Sequence, residues 1–482
     1  MEYEAVIGIE THAQLLTASK MFCGCSADYT LAAPNSLVCP VCLGMPGSLP
    51  VINRQAVECV IMTGLAFRCE IAEFSKFDRK NYNYPDLVKG YQISQYDLPI
   101  CRNGWTDIQV GEQTKRIGIQ RVHLEEDTGK LIHGRGRSLI DYNRSGVPLM
   151  EIVTAPDFAS VEEVQEYARK LRAVLRYLGV NSGNMEEGAL RIEANVSIRP
   201  VGSVINGTLV ELKNLNSFRA VWRSAEYEIK RQEELVRSGS SVRRETRGWD
   251  DAKEVTFPQR SKESADDYRY FPEPDLPPLE IARQWVDEMQ AKMPELPEAR
   301  RRRFIARYSL GGYDAGLLTD ERAVADYFEQ AVTAGEAKGI SAKTIANWIK
   351  GELFHLLNVA NVGIATTKVS PTQLVDLLAL VGENAINTNT GRRVLEVMFE
   401  TGRPAHDVVA EEGLAQIADK HALSAVVDQV LRENPAAVAQ YKQGKETVLR
   451  FLVGQVMRAT KGQADPNGAT EMLKEHLSRA FR

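Results

Sequence analysis

Hydrophobic and polar positions follow two different periods along the chain. From residue 3 to about residue 270, short runs of alternating or β-branched residues are separated by Gly, Pro and Asn, a pattern typical of strands. Two amphipathic stretches of helical period interrupt them. One begins after Ser160, which can cap a helix, and ends at Gly179; the other covers 217–237. The pattern predicts an α+β region with a large, mostly antiparallel sheet.

The composition of the chain changes between Phe271 and Pro297, where six prolines fall close together. After this segment, amphipathic stretches of helical period are separated by Gly, Asn and Pro. The whole chain is therefore predicted to be α+β, with a sheet domain at 1–294, an all-α helical domain at 295–405 and a small helical tail domain at 406–482.

Composition and charge are those of an ordinary globular protein. Of the 482 residues, 44% are hydrophobic and 26% are charged, and the formal net charge is -5. No stretch approaches about twenty apolar residues, and the start MEYEAVIGIETH lacks the basic and apolar regions of a signal peptide. We therefore expect a cytoplasmic protein without a membrane partner. The basic run from Arg300 to Arg303 is expected to lie on a solvated helix start.

Four of the seven cysteines lie within twenty residues, at Cys23, Cys25, Cys39 and Cys42. A reducing cytosol argues against a disulfide framework. Two close pairs joined by a short loop are the usual arrangement of a tetrahedral zinc site, and four thiolates would leave no open position, so the zinc would be structural. The alternative is a set of buried thiols without metal, which is how we interpret Cys59, Cys69 and Cys101.

Polar residues recur at alternate positions on several predicted strands, and residues two apart on a strand share a face. The shared faces are Glu10 with His12; His123 with Glu125 and Asp127; Arg191 with Glu193 and Asn195; and Glu211 with Lys213. A solvated outer sheet face would give the same alternation. Carboxylates recurring beside histidine instead suggest a concave face that holds a hard divalent cation, and such ligands suit magnesium. The pattern alone leaves both interpretations open.

The segment from Phe77 to Ile100 is dense in tyrosine and basic residues. Such a loop can stack nucleic-acid bases, but tyrosine-rich turns also pack as ordinary structure, so the spacing favours neither interpretation. The sequence has no GxxxxGK[ST] phosphate loop and no GxSxG nucleophile elbow. It therefore offers no recognisable nucleophile for hydrolysing an amide.

A series of long motifs runs in order from residue 5 to about residue 280. They are IGIETHAQL, DRKNYNYPDLVKGYQISQYD, HLEEDTGKLIH, DYNRSGVPLMEIVT, EANVSIRP, ELKNLNSFRA and DYRYFPEPDLPPL. These motifs resemble those of the B subunits of aspartyl/glutamyl-tRNA(Asn/Gln) amidotransferases, the GatB family. The later stretch GKETVLRFLVGQVMRATKGQADPNGATEMLKEHL is similar to the C-terminal tRNA-binding module of that family. The resemblance covers nearly the whole chain.

The resemblance implies a cradle domain, a helical domain and a tail, together with a two-step reaction. ATP would phosphorylate the side-chain carboxylate of Glu or Asp on Glu-tRNA(Gln) or Asp-tRNA(Asn), and ammonia would displace the phosphate to form the amide. The A subunit of such an enzyme would release the ammonia from glutamine, which accounts for the missing nucleophile, and the C subunit would wrap the other two. The implied cofactors are ATP and Mg²⁺, and the implied partners are the A and C subunits of a heterotrimer and a misacylated tRNA, with no DNA.

The resemblance also implies roles for individual residues. The Mg²⁺ ligands would be Glu10, His12, Glu125 and Glu151. Glu211 and Glu193 would lie at the nucleotide, and Lys80, Lys89 and Tyr91 would lie where ammonia emerges. The expected tRNA contacts in the tail are Lys442, Lys445, Arg450, Arg458 and Lys461, with a solvated helix face as the alternative. The competing hypothesis for the whole chain is a zinc-stabilised tRNA-binding protein without catalysis.

Overall fold

The computed structural model describes residues 2–261, 268–414, 420–460 and 463–479. The chain divides into two compact units, Met1–Leu296 and Pro297–Arg482, which we call the first and the second unit. Strands occur in the first unit, whereas the described part of the second unit is helical, so the predicted α+β class is confirmed. Among the described residues, no helix has the length and apolar character needed to span a bilayer.

The described part of the first unit is organised around a nine-stranded sheet. The strands are β1 (Tyr3–Gln14), β2 (Glu70–Ile71), β3 (Phe74–Ser75), β4 (Asp78–Asn81), β5 (Tyr91–Ser94), β6 (Cys101–Val110), β7 (Gln113–Glu126), β8 (Lys130–Gly134), β9 (Arg137–Asp141), β10 (Pro148–Thr154), β11 (Leu190–Pro200), β12 (Val210–Lys213), β13 (Glu245–Asp250), β14 (Val255–Ser261), β15 (Phe271–Pro272) and β16 (Leu279–Glu280). The large sheet has the order β14-β13-β12-β11-β1-β10-β7-β6-β2. Its neighbouring strands are antiparallel except for the parallel pair β12 and β13, as the prediction of a mostly antiparallel sheet requires.

Three helices pack on this sheet: α1 (Arg54–Ala66), α2 (Val161–Leu178) and α3 (Phe218–Arg237). A fourth helix, α4 (Arg283–Lys292), packs against α1. The predicted ends of α2 are confirmed: the Ser160 side chain accepts a hydrogen bond from the amide of Glu163, and Gly179 ends the helix at φ 69°. Ile7 and Ile9 of β1 share one hydrophobic core with Tyr167 of α2. Because side chains alternate along a strand, the polar positions of β1 lie on the opposite face.

The tyrosine-rich segment forms part of a smaller sheet with the order β15-β4-β5. The ring of Tyr96 stacks on Tyr270 with centroids 4.2 Å apart, and Tyr82 meets Tyr268 edge-on at 5.9 Å. Tyr82 and Tyr96 therefore both contact other tyrosines of the protein, although Tyr96, like Tyr84, is exposed.

The described residues of the second unit form helices and two short turns of other helical types. The helices are α5 (Pro297–Tyr308), α6 (Gly312–Thr319), α7 (Arg322–Glu336), α8 (Ala342–Trp348), α9 (Phe354–Ala360), α10 (Pro371–Gly382), α11 (Thr388–Thr401), α12 (Ala405–Glu411), α13 (Lys420–Glu433), α14 (Pro435–Lys442), α15 (Val448–Ala459) and α16 (Pro466–Arg479). A π-helical turn (Ile349–Leu353) joins α8 to α9, and a 3-10 turn covers Ile364–Thr366. The described apolar residues form two cores, one between Phe304 and Leu414 and one between Leu423 and Leu477.

The basic run at the start of the second unit is only partly solvated, so the expectation for it was wrong at one position. Arg301 and Arg302 are exposed, but Arg300 is 7% exposed. Its guanidinium lies 2.6 Å from carboxylate oxygens of both Asp326 and Glu329 on α7. Partners 26 and 29 residues further along the chain thus bury a cation that the local sequence suggested would face water.

Candidate functional site

The register of the large sheet brings polar residues of four neighbouring strands into one row. His12 of β1 lies opposite Glu151 of β10 and opposite Arg191 of β11. Glu151 in turn lies opposite His123 of β7. Two residues before His12 on β1, and so on the same face, Glu10 lies opposite Glu193 of β11. The sheet therefore assembles, from strands distant in sequence, the polar face that alternation suggested.

The first candidate metal-binding group on this face consists of His12, Glu125 and Glu151, each of which offers a ligand atom within 4.8 Å of the others. His12 Nε2 lies 3.5 Å from Glu151 Oε2. His123 Nε2 lies 3.2 Å from Glu125 Oε1 and 3.4 Å from Glu151 Oε2. The side chains of Gln92 and Ser94 on β5 donate hydrogen bonds to Glu125 at 2.9 and 2.8 Å.

Burial and charge have opposing effects in this group. Burial alone would raise the pKa of Glu125, but the hydrogen bond with His123 holds that pKa below its ordinary value. The pKa of Glu151 is well below its ordinary value despite burial, because both His123 and His12 face it. Burial would lower the pKa of His12, yet hydrogen bonding to Glu151 raises it. Two ionised carboxylates are thus held out of water.

The second group consists of Glu10, Glu193 and Glu211, again with ligand atoms within 4.8 Å of one another. The ammonium of Lys213 lies 3.0 Å from Glu193 Oε2 and 3.3 Å from Glu211 Oε1. Thr246 Oγ1 donates a hydrogen bond to Glu211 Oε2 at 2.7 Å. Burial, followed by the charges of Glu151 and Glu193, raises the pKa of Glu10. Glu10, which the resemblance grouped with His12, therefore belongs geometrically to this second group.

Both groups fit a small hard cation by their donor atoms and spacing. Mg²⁺ takes oxygen ligands at about 2.1 Å in octahedral geometry, so its ligand atoms lie about 3–4 Å apart. The carboxylate oxygens of each group lie within a separation that modest side-chain rotation can close to that value. The imidazole of His12 is a softer ligand than the carboxylates beside it.

Lys80 lies beside the first group, on β4. Burial opposes its charge, but the carboxylate of Glu125 and the nearby Glu151 raise its pKa above the ordinary value. Its ammonium also lies 5.1 Å from the ring centroid of Tyr268. Lys80 therefore contributes a positive charge close to two buried negative ones.

Lys89 and Tyr91 line a cavity of about 200 Å³ in the first unit. The Lys89 ammonium pairs with Glu126, and both side chains are less than 10% exposed. It also lies 5.2 Å from the ring centroid of Tyr91, whose pKa burial raises to about 12. Cys23 and Cys42 line the same cavity. Lys89 and Tyr91, two of the three residues predicted for the ammonia site, thus lie together next to the cysteine cluster.

The four clustered cysteines are free thiols whose sulfur atoms all lie within 4.8 Å of one another. Tetrahedral zinc with Zn–S bonds of about 2.3 Å requires sulfur atoms about 3.8 Å apart, so this donor set fits zinc. The hydrogen bond from Cys23 lowers the pKa of Cys42 to about 5, whereas burial raises that of Cys25 to about 11. The backbone amide of Cys39 also points at Cys42 Sγ, 3.1 Å away.

The predicted tRNA contacts of the tail lie on and beside α14 and α15. Lys442, Lys445, Arg450 and Arg458 are exposed, and Lys461 lies outside the described residues. Arg450 lines a cavity of about 500 Å³ together with Tyr441 of α14 and Lys474 of α16. The described basic residues are therefore accessible to a polyanion.

Several residues of the site were not assigned a role from the sequence. His123, Arg191 and Asn195 had been noted on polar strand faces, and each now contacts a carboxylate of the site or its support: His123 contacts Glu125, Arg191 contacts Asp127 at 2.9 Å, and Asn195 donates to Glu10 at 2.7 Å. Gln92 and Ser94 lie in one of the motifs that carry the family resemblance and alternate along β5, but neither feature assigned them a role. Thr246 carried none, because its contact depends on the parallel pairing of β12 with β13.

Comparison with known proteins identifies the family. Residues 5–287 match the model of the GatB/GatE catalytic domain, and residues 326–477 match the GatB domain model. Relatives named as the B subunit of aspartyl/glutamyl-tRNA(Asn/Gln) amidotransferase include proteins of Dehalococcoides mccartyi, 53% identical with 99% of both chains covered, and Thermomicrobium roseum, 54% identical with 99% of both chains covered. The relative from Roseiflexus castenholzii is 51% identical over 99% of this chain and 100% of its own. This chain belongs to the GatB family of amidotransferase B subunits, and the polar sheet face lies within its catalytic domain.

Proposed function

We propose that the chain activates and amidates the side-chain carboxylate of Glu on tRNA(Gln), of Asp on tRNA(Asn), or of both. Its family makes it the B subunit of a tRNA-dependent amidotransferase, a glutamine-dependent ligase that uses ATP. The names of its relatives mention both aspartyl-tRNA(Asn) and glutamyl-tRNA(Gln). The single observation that carries the proposal is the buried group of His12, Glu125 and Glu151 in the catalytic domain.

The reaction has two steps. The terminal phosphoryl group of ATP is first transferred to the substrate carboxylate, which gives an acyl phosphate and ADP. Ammonia then attacks the acyl carbon, the phosphate leaves, and an amide remains. Both reactants of the first step are anions, so the protein must supply positioning and charge compensation rather than a covalent nucleophile.

The polar sheet face supports this chemistry with its own residues. His12, Glu125 and Glu151 would hold Mg²⁺, which when bound would offset negative charge on the transferred phosphoryl group. His123 holds the two carboxylates of this group ionised. Lys80 adds a positive charge beside them, where it would attract an anionic substrate.

The second carboxylate group supports a nucleotide-binding role on the same face. Glu10, Glu193 and Glu211 are held by Asn195, Lys213 and Thr246, so their positions are fixed by hydrogen bonds and ion pairs. Lys89 and Tyr91, beside the cavity, would lie where ammonia from the glutamine-hydrolysing partner enters. The cysteine cluster would hold a structural zinc ion.

The remaining parts of the proposal concern partners and location. We propose that the chain works in a cytoplasmic heterotrimer with the A and C subunits of the amidotransferase. The exposed residues Lys442, Lys445, Arg450 and Arg458 of the tail would contact tRNA phosphates, because clustered exposed cations attract the nucleic-acid backbone.

The test compares Glu125→Gln with Glu4→Gln in the complex reconstituted with the A and C subunits. Glu4 lies on β1 of the same sheet but pairs with Arg199 at the sheet surface, so its loss serves as the matched control. Glu-tRNA(Gln) and Asp-tRNA(Asn) are each supplied with ATP, and either glutamine or ammonium chloride as nitrogen source. Amide formation, ADP release and glutamine hydrolysis are measured separately.

We expect Glu125→Gln to slow amide formation about 100-fold or more with both nitrogen sources, since charge stabilisation by a catalytic metal is worth several kcal/mol. Glutamine hydrolysis should continue, and Glu4→Gln should behave as the wild type. Full amidation by Glu125→Gln would overturn the active-site assignment. No ATP consumption by the wild-type complex with either tRNA would favour the non-catalytic tRNA-binding hypothesis.

A further inference from the structure

Lys20 is a fully buried lysine whose ammonium lies at the cysteine cluster. Its relative exposure is 0%, and it follows β1 three residues before Cys23. The ammonium donates to the Leu37 carbonyl at 2.8 Å and to the Tyr142 carbonyl at 3.5 Å. It also lies 3.8 Å from Cys42 Sγ. The backbone amide of Lys20 donates to the Cys25 carbonyl at 2.9 Å, so the lysine contacts the cluster through both its backbone and its side chain.

The polar partners of this ammonium in the described structure are two carbonyl oxygens and a thiol sulfur. Removing a positive charge from water is costly, and neutral dipoles compensate it only in part. The stem of Lys20 and Cβ of Cys42 both lie beside Gly146, and the two residues line the same cavity.

The zinc-bound cysteine cluster would carry excess negative charge, whereas the Lys20 ammonium carries excess positive charge. Four thiolates around one divalent zinc ion carry a net charge of minus two, and such a buried anion requires hydrogen-bond donors or cations in the surrounding shell. The amide of Cys39 supplies one donor to Cys42. The ammonium of Lys20 supplies a full positive charge to the same sulfur.

We propose that Lys20 is the counter-charge of the zinc centre: its ammonium stabilises the Cys42 thiolate and thereby increases the affinity of the four cysteines for zinc. This inference rests on the zinc site put forward under the proposed function. It makes Lys20 a positioning and charge-compensating residue rather than a ligand. The competing explanation is purely structural, with Lys20 only tying the Leu37 and Tyr142 carbonyls to the end of β1.

The experiment compares Lys20→Gln, Lys20→Met and Lys20→Arg in the full chain. Gln can still donate to a carbonyl but lacks the charge, whereas Arg keeps the charge. Lys76→Met is the matched control, because Lys76 is a partly buried lysine whose partners are carboxylates, Asp78 at 2.6 Å and Asp97 at 2.8 Å, instead of cysteine. Zinc affinity is measured by competition with a chromogenic chelator, and cobalt substitution reports thiolate ligation through its charge-transfer absorption. Thermal melting of the metal-free chain is recorded in parallel.

We expect Lys20→Gln to weaken zinc binding about 10- to 100-fold, the usual effect of losing an outer-shell partner. Lys20→Arg should stay within a few-fold of the wild type, and Lys76→Met should lower the melting temperature without changing zinc affinity. Lys20→Met serves in place of Lys20→Gln if the latter does not fold.

Three outcomes would overturn the inference. If Lys20→Gln bound zinc as tightly as the wild type, the charge of Lys20 would have no role in zinc binding. If Lys20→Gln and Lys20→Arg lost zinc affinity equally, only the packing of the side chain would matter. A wild-type chain that takes up no zinc would overturn the zinc site as well. Normal uptake by the wild type with unchanged affinity in Lys20→Gln would overturn the role of Lys20 alone.

Discussion

The buried ion pair between Lys89 and Glu126 allows the structural and functional roles of Lys89 to be separated. The two side chains are 9% and 6% exposed, and Glu126 also accepts a hydrogen bond from the Ile93 amide at 3.0 Å. Lys89→Met preserves most of the side-chain volume and removes only the charge. It leaves the Glu126 carboxylate buried at the cavity that Tyr91 also lines, with the Ile93 amide as its backbone donor.

The expected cost follows from the burial of both partners. Removing one member of a buried ion pair destabilises a protein by about 3–5 kcal/mol, because the remaining charge is uncompensated. Replacing both members with neutral residues of similar size is often close to neutral. Lys89→Met combined with Glu126→Gln should therefore recover all but about 1 kcal/mol of the loss. The coupling between the two substitutions should exceed about 2 kcal/mol.

Urea unfolding of the wild type, the two single variants and the double variant gives this coupling. Amide formation and glutamine hydrolysis are then measured for the double variant in the reconstituted complex. If Lys89 serves the ammonia site, the double variant should be stable yet slow in amide formation, with its use of ATP and glutamine uncoupled from the product. A cost below about 1 kcal/mol for Lys89→Met, or additive single costs, would contradict the buried-pair argument. A stable double variant with wild-type amide formation would contradict the functional role.

Three further predictions concern other parts of the chain. Thr246→Val should destabilise the chain by about 1.5–3 kcal/mol in urea, since the buried Glu211 carboxylate loses one of its hydrogen-bond donors, and Thr246→Ser should restore the stability; equal stability of all three would refute this. Arg303 and Arg300 lower the pKa of Glu329 from 4.5 to about 2. The ion pairs of Glu329 therefore stabilise the chain fully above about pH 4.5, and this stabilisation is lost as the pH falls towards 2. After allowance for solvent screening, Glu329→Gln should cost about 1–2 kcal/mol at pH 7 and almost nothing near pH 2, and a pH-independent cost would refute the assignment. Arg450→Glu and Arg458→Glu should each weaken tRNA binding several-fold and reduce its salt dependence, with glutamine hydrolysis unchanged, whereas wild-type affinity would exclude a phosphate contact.

Local patterns predicted those features of the fold that depend on nearby residues. The cap at Ser160 and the stop at Gly179 predicted α2 because both act on the backbone of the helix itself. The same local reasoning was wrong for Arg300, whose burial depends on carboxylates of another helix. Periodicity predicts which side of a helix or strand is apolar, but it does not predict which residue from a distant part of the chain forms an ion pair with a charged side chain.

The candidate site shows the same limit at the level of strand order. Alternation predicted that His12 and Glu10 share a face of β1, and the structure confirms this. Alternation does not predict which strands lie next to β1 in the sheet. The order β11-β1-β10-β7 places Glu151 between His12 and His123, and Glu10 beside Glu193. One predicted ligand set is consequently divided into two groups. Lys20 was missed for the same reason, since its sulfur and carbonyl partners come from later parts of the chain.

Burial argues against a solvated sheet face, one of the two interpretations that alternation left open. Glu125, Glu151 and Glu211 are each at most 7% exposed, so alternation here does not reflect contact with water. A buried row of carboxylates is stable only if cations and donors compensate it, and His123 and Lys213 occupy positions between them. The compensation differs between the groups: the pKa of Glu151 is lowered, whereas that of Glu10 is raised by burial and by its acidic neighbours. Such divergence between neighbouring carboxylates is characteristic of catalytic sites rather than of sheet surfaces, where solvent would keep their pKa values alike.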